Sequence, residues 1–229
     1  MGKLKNFYHD ELIEAKEEED EPKMRLPEES SFTPAPAGAH TAVCIGFIDM
    51  GTQPSFYEDG KPAHKVRITW ELDEQMDDGR PFTISKTYTW SMNDRATLRS
   101  HLESWRGRPF KKEDFGPNGF DTKNLLYKPC TLTVQHKDVN GTERSVVAGV
   151  APPMKGVKPF TPINPNVYLS LDPDEFDEAV FNELGEKTKE AIRGTPEYAA
   201  IMGKKANGAA PDKYSDNAHS ADLDDEIPF

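Results

Sequence analysis

The chain has 229 residues with 28 basic and 40 acidic side chains, a net charge of −12, and 19 prolines. Taken as an average, this acidity argues against a polyanionic partner, and a mean hydropathy of −0.75 is too low for a chain folded along its whole length. No apolar run approaches the ~18 residues that span a bilayer, and the start, Met1-Gly2-Lys3-Leu4-Lys5, leads into charge rather than an apolar signal core, so a soluble, intracellular protein is expected.

Residues 1–35, at net −5, read as an acidic mobile arm with a possible short amphipathic helix through Leu4, Phe7, Tyr8, Leu12 and Ile13. Residues 36–158 read as a folded domain, and the stretch 36–160 carries net +2. Its first strand is Ala39 to Met50. A loop with Asp59-Gly60 leads to Lys65 to Leu72, where Val66, Ile68, Trp70 and Leu72 alternate with polar residues. Asp78-Gly79 turns into a third strand, Phe82 to Met92. Asn93 is the expected cap of a helix whose Leu98, Leu102 and Trp105 share one face, and Gly107 and Pro109 end it. A helical turn at Leu125 and Leu126 precedes a strand from Thr131 to Lys137, and Asn140-Gly141 joins it to Arg144 to Val150. Cys44 and Cys130 lack metal-ligand spacing and read as two buried thiols.

Beyond Pro152-Pro153, the prolines from Pro159 to Pro165 break up regular structure. Residues 159–202 form a helical extension, with Asp172 as cap, Pro173 at the first position, and Phe176, Val180, Phe181 and Leu184 as the apolar face. Residues 203–229 read as a disordered linker and an acidic tip. The fold class is therefore mainly β. The order β-β-β-α-β-β predicts a five-stranded Greek-key barrel of the OB type with a helix between strands 3 and 4, plus C-terminal helices and disordered acidic termini. A sandwich with an inserted helix is the alternative.

An OB barrel binds single strands when its second and third strands offer cations to phosphates and aromatic faces to bases. Strict alternation turns Lys65, Arg67 and Thr69 outward together. On strand 3, Ile84, Lys86, Tyr88 and Trp90 share a face. Lys86 does not belong in a core, so either a bulge moves it outward or Lys86 and Tyr88 lie where the barrel opens. Phe56 and Tyr57, beside Lys61 in the first loop, are positioned to stack on bases. Lys137 and Arg144 flank the last hairpin, while Trp70, Trp90 and Trp105 read as core. These residues nominate a single-stranded nucleic-acid surface of Lys65, Arg67, Lys86, Tyr88, Phe56, Tyr57, Lys61, Lys137 and Arg144.

Enzyme signatures such as GxxxxGK[ST], HExxH or GxSxG are missing from the sequence, and no cofactor or metal is implied. Asp73, Glu74, Asp77 and Asp78 crowd one turn but lack the spacing of a calcium loop. A nuclease built on them is the remaining enzymatic reading.

The chain ends Asp222-Leu223-Asp224-Asp225-Glu226-Ile227-Pro228-Phe229. A phenylalanine ring can enter an apolar pocket while its α-carboxylate pairs with a cation, and Asp222, Asp224, Asp225 and Glu226 meet a basic rim. Pro228 limits the entropy lost with Ile227 on docking. This tip resembles that of bacterial single-stranded DNA-binding proteins. The middle segment, with Ser85-Lys86 and Leu102-Glu103-Ser104-Trp105-Arg106-Gly107-Arg108-Pro109-Phe110, resembles bacteriophage-encoded OB-fold proteins of the same functional class. The resemblance implies a non-enzymatic protein that coats single-stranded DNA in the cytoplasm of a bacterial host and recruits replication, repair or recombination enzymes through its tip. The long acidic arm and the helices after the barrel depart from the bacterial pattern and favour a monomer or homodimer over a tetramer. The alternative is an OB-fold adaptor that competes for the host protein's partners.

Overall fold

The computed structural model of the chain describes residues 33–55, 60–115, 119–139 and 141–208. The tip and residues 1–32 of the expected acidic arm lie outside these residues; the end of the arm, at Ala35, is not mobile but buried in the sheet's core, its carbonyl accepting from Ser145 Oγ at 2.7 Å. Five long strands follow the expected order: β1 (Gly38–Gln53), β2 (Ala63–Gln75), β3 (Pro81–Thr89), β4 (Pro129–Val139) and β5 (Thr142–Ala151), with helix α1 (Thr97–Arg106) between β3 and β4. They pair antiparallel in the order β3-β2-β1-β4-β5, so β4 returns to lie beside β1 in Greek-key fashion. No ladder joins β3 to β5, and the sheet is not closed.

Alternation in β2 buries Val66, Ile68, Trp70 and Leu72 against Cys130, Leu132 and Val134 of β4 and Leu98, Leu102 and Trp105 of α1. Both thiols are free and buried, and burial pushes Cys44 up to about 12. Gly107 ends α1 in the left-handed conformation, φ 69°, as its position predicts. Asn93 does not cap it. The helix begins at Thr97 after Ala96, and Asn93 Oδ1 instead accepts from Arg95 N in a local turn.

β1 is buried on both faces. A register shift between Cys44 and Gly46 turns the alternation over, so Cys44 and Phe47 both face the first core while Ile48 and Met50 face a second. That second core is closed by β6 (Val167–Leu169), paired parallel to β1, and by α2 (Glu178–Glu183), α3 (Glu186–Arg193) and α4 (Pro196–Gly208). β6 follows the Pro159 to Pro165 stretch, inside the extension expected to be helical. Asp172 caps no helix; its carboxylate accepts from Asp174 N, and Asp177 caps α2 by accepting from Ala179 N and Val180 N. α4 runs on past Gly203 to Gly208. Gly51, at φ +65°, lets α4 approach: a Cβ there would meet Thr195 and Glu197 at 2.8–2.9 Å.

The segment before β6 is fastened to the sheet by one buried carboxylate. Glu71 is 0% exposed and accepts from Ile163 N at 2.7 Å, Asn164 N at 2.8 Å and Asn164 Nδ2 at 2.6 Å. Three donors from the strap replace the water that this charge loses on burial.

Candidate nucleic-acid interface

The outward residues of β2 meet different fates along the strand. At one end Glu71 is covered by the strap. In the middle Arg67 is half-buried, donates to Thr188 Oγ1 of α3 at 2.9 Å, and has its pKa lowered by burial. At the other end Lys65 donates to Thr89 Oγ1 at 2.7 Å on an open surface. The expected row of Lys65, Arg67 and Thr69 is therefore outward but not uniformly free. Arg67 helps to hold the C-terminal helices, which half-bury it.

β3 keeps its register with β2 unbroken from Thr83 to Thr89, so no bulge moves Lys86 outward. Lys86 stays on the inner side and reaches the unpaired seam, where its Nζ donates to Val147 O of β5 at 2.6 Å. This bond is a side-chain bridge across the gap left by the missing ladder. The seam holds a cavity of about 510 Å³ lined by Lys86, Lys137, Ser85, Thr87, Gln135 and Ser145. Burial lowers the pKa of Lys86, and the charge of Lys137 lowers it further. Two ammonium groups close enough to repel share a cavity that favours an anion. Arg144 lies opposite Lys137 in the β4/β5 ladder and is exposed. Among the described residues, Lys65, Lys86, Lys137 and Arg144 form no ion pair.

The seam also presents main-chain groups. Trp90 N donates to His64 O, so in this antiparallel ladder the bonded pairs are those of Trp90, Tyr88, Lys86 and Ile84 with β2. Ser85, Thr87 and Thr89 consequently turn their N–H and C=O groups away from β2, and their hydroxyls are exposed. Cations, hydroxyls and free amides line this edge together.

Tyr88 is not part of it. It is 3% exposed, with its hydroxyl 2.9 Å from His101 Nδ1 and its ring edge-on to that imidazole, so it serves the core. Burial pushes His101 down to about 4, keeping it neutral at pH 7. Lys61 is exposed near the start of β2, whereas Phe56 and Tyr57 lie outside the described residues. Among the described residues no three His, Cys, Asp or Glu side chains gather as metal ligands. In the acidic turn, Glu74 contacts His40 and Asp78 pairs with Arg80.

Trp90, expected in the core, is 46% exposed. It directly follows β3, beyond the last buried pair, and meets Phe47 edge-on at 5.7 Å. Phe47 in turn stacks on Tyr168 of β6 at 6.1 Å. Sequence alternation places Trp90 on the inner face; only the position of the strand end shows that this face is no longer covered there. Beside it, His64 lies 2.6 Å from Asp49 Oδ1 and 3.5 Å from Glu197 Oε1 of α4, and its pKa is raised chiefly by the Asp49 hydrogen bond.

No family model matches this chain, and no curated protein matches it. Among the described residues, no helix is long and apolar enough to cross a membrane.

Proposed function

We propose that this chain is a non-enzymatic protein that binds single-stranded DNA without sequence preference, as a phage protein shielding replication intermediates would, and that its tip, Asp222 to Phe229, recruits replication, repair or recombination enzymes. The observation that carries the reading is the seam between β3 and β5, where Lys86 and Lys137 share a cavity edged by free strand amides and the hydroxyls of Ser85 and Thr87. The Greek-key order with α1 between β3 and β4 supports an OB-type barrel, opened along this seam. Lys65 and Arg144 extend the cationic track, and Lys61, Phe56 and Tyr57 supply charge and stacking from the β1–β2 connection. Phosphates bind the track, so the strand's sequence matters little.

The test is a fluorescence-anisotropy titration of a labelled poly-thymidine strand with the full chain. The C-terminal helices cover one face of β1, so a fragment ending near residue 160 would expose the second core and is the wrong reagent. Tight binding at low salt, weakening steeply with salt and leaving the strand uncut in magnesium, supports the reading. Absence of binding at low salt overturns it in favour of an OB-fold adaptor. Deleting Asp222 to Phe229 preserves or tightens DNA binding, by removing competing negative charge, and abolishes capture of repair enzymes.

A further inference from the structure

The end of the sheet opposite in character to the cationic seam carries a second site. Trp90, Phe47 and Tyr168 line a cavity of about 600 Å³, with Phe47 as its buried floor and Trp90 and Tyr168 beside it. An adjoining cavity of about 320 Å³ shares Phe47, Trp90 and Phe120 and continues the apolar wall toward α1. The rim has the reverse sign from the seam. Asp49, Asp121, Asp172 and Glu175 line the larger cavity against a single cation, Lys123.

Each rim carboxylate is committed through one oxygen. Asp49 Oδ1 accepts from Gly51 N and lies 2.6 Å from His64 Nε2, Asp121 Oδ1 accepts from Lys123 N, Asp172 Oδ1 from Asp174 N, and Glu175 Oε1 from Lys123 Nζ. The second oxygen of each has no hydrogen bond among the described residues, and an ionised carboxylate only accepts. The cavity therefore needs donors, and its net charge needs a cation. One wall already shows the mode: Lys123 Nζ sits 5.1 Å from the centre of the Tyr168 ring while pairing with Glu175. On the Trp90 side, His64 lies 6.0 Å from the indole and 2.6 Å from Asp49 Oδ1, which leaves Asp172 of the same cavity without a cation among the described residues.

We infer that this aromatic, acid-rimmed cavity is a docking site for an arginine side chain in a basic segment of a partner protein. A guanidinium is flat enough to lie on the Trp90 face, carries five donors for carboxylate oxygens, and brings the charge that the rim lacks. A phosphodiester is repelled by the same rim. A neutral nucleobase could donate to the carboxylate oxygens but would leave the negative charge uncompensated. The site is separate from the seam, and its assignment does not depend on DNA binding.

The experiment uses the full chain labelled with ¹⁵N and follows the indole N–H resonances while acetylated tetra-arginine amide is added. The Trp90 resonance, assigned by its loss in Trp90→Phe, shifts saturably, while those of the buried Trp70 and Trp105 stay in place. Tetra-lysine binds more weakly. Trp90→Ala weakens tetra-arginine about tenfold, and Asp172→Asn, an exposed change that keeps the fold, weakens it about threefold; Lys86→Ala has no effect. Equal affinity for wild type and Trp90→Ala, or for tetra-arginine and tetra-lysine, overturns the proposal as mere attraction to an acidic chain. A Trp90 shift with a deoxyguanosine-rich strand and none with tetra-arginine overturns it in favour of a base pocket.

Discussion

The two flanks of the sheet start from similar strands and end differently. On the β1–β2 flank the outward side chains are enclosed: Ile48 and Met50 lie under α2 to α4, Arg67 is held by Thr188, and Glu71 is held by the strap. On the β3–β5 flank nothing of the described chain covers Ser85, Thr87 or Lys137, and Lys86 spans an open seam. An outward charge thus does structural service where a second layer arrives and stays available where none does. Lys86 and Arg67 are both partly buried cations with lowered pKa, yet one faces a cavity shared with another cation and the other a helix hydroxyl.

Breaking the enclosed flank has the largest effect. Glu71→Ala leaves the Ile163 and Asn164 donors without their carboxylate and costs about 3 kcal/mol in urea denaturation, with poly-thymidine affinity little changed under native conditions. A large loss of DNA affinity at unchanged stability would place the DNA on the wrong flank. On the open flank, Lys86→Ala with Lys137→Ala lowers poly-thymidine affinity by about tenfold or more at low salt, as loss of two phosphate contacts requires, and costs about 1 kcal/mol of stability through the lost Val147 bond. Arg67→Ala sharpens the contrast between like charges: it costs about 1 kcal/mol of stability through the Thr188 bond and changes affinity by less than about twofold, the size of a charge outside the contact.

The smallest effects concern pH. His64, bridging Asp49 of β1 and Glu197 of α4, has a raised pKa, so its contribution is fully present below the ordinary histidine value and fades as pH rises through the raised one. The stability lost in His64→Gln is therefore larger near about pH 6 than near about pH 8.5. His101 works in the opposite direction. Its pKa is depressed to about 4, so the unfolded chain binds the extra proton first, and stability falls as pH drops from the ordinary histidine range toward that value. Thermal melts of His101→Gln should show a shallower decline in acid than wild type.

Much of the fold was legible because alternation is a local signal. Val66, Ile68, Trp70 and Leu72 reveal the inner face of β2, and Asn140-Gly141 reveals the last hairpin. The burial of β1 on both sides was also written in its near-continuous apolar run, but the identity of the covering layer was not. β6 has three residues among prolines, too few for a period to register, and it pairs with β1 from more than a hundred residues away. Parity assigned Arg67 outward correctly and could not see that α3 lies over it. For Lys86 parity gave a contradiction, a lysine on a core face, and the unpaired seam resolves it. The same rule misplaced Trp90, because a face buried in mid-strand ceases to be buried where the strand ends. Asp172 and Asp177 are equally good caps by residue type; the local turn at Asp172–Glu175 hands the role to Asp177.

The central claim is that the β3–β5 seam, and not the enclosed flank, receives the phosphates of a single strand. The salt dependence of poly-thymidine affinity, measured side by side for wild type, Arg67→Ala and the Lys86→Ala, Lys137→Ala double variant, tests it most directly. For single strands each phosphate contact adds about 0.7 to the slope of log affinity against log salt, so the double variant should lose about 1.4 from the wild-type slope while Arg67→Ala retains it. An unchanged slope in the double variant, or a loss confined to Arg67→Ala, would contradict the account.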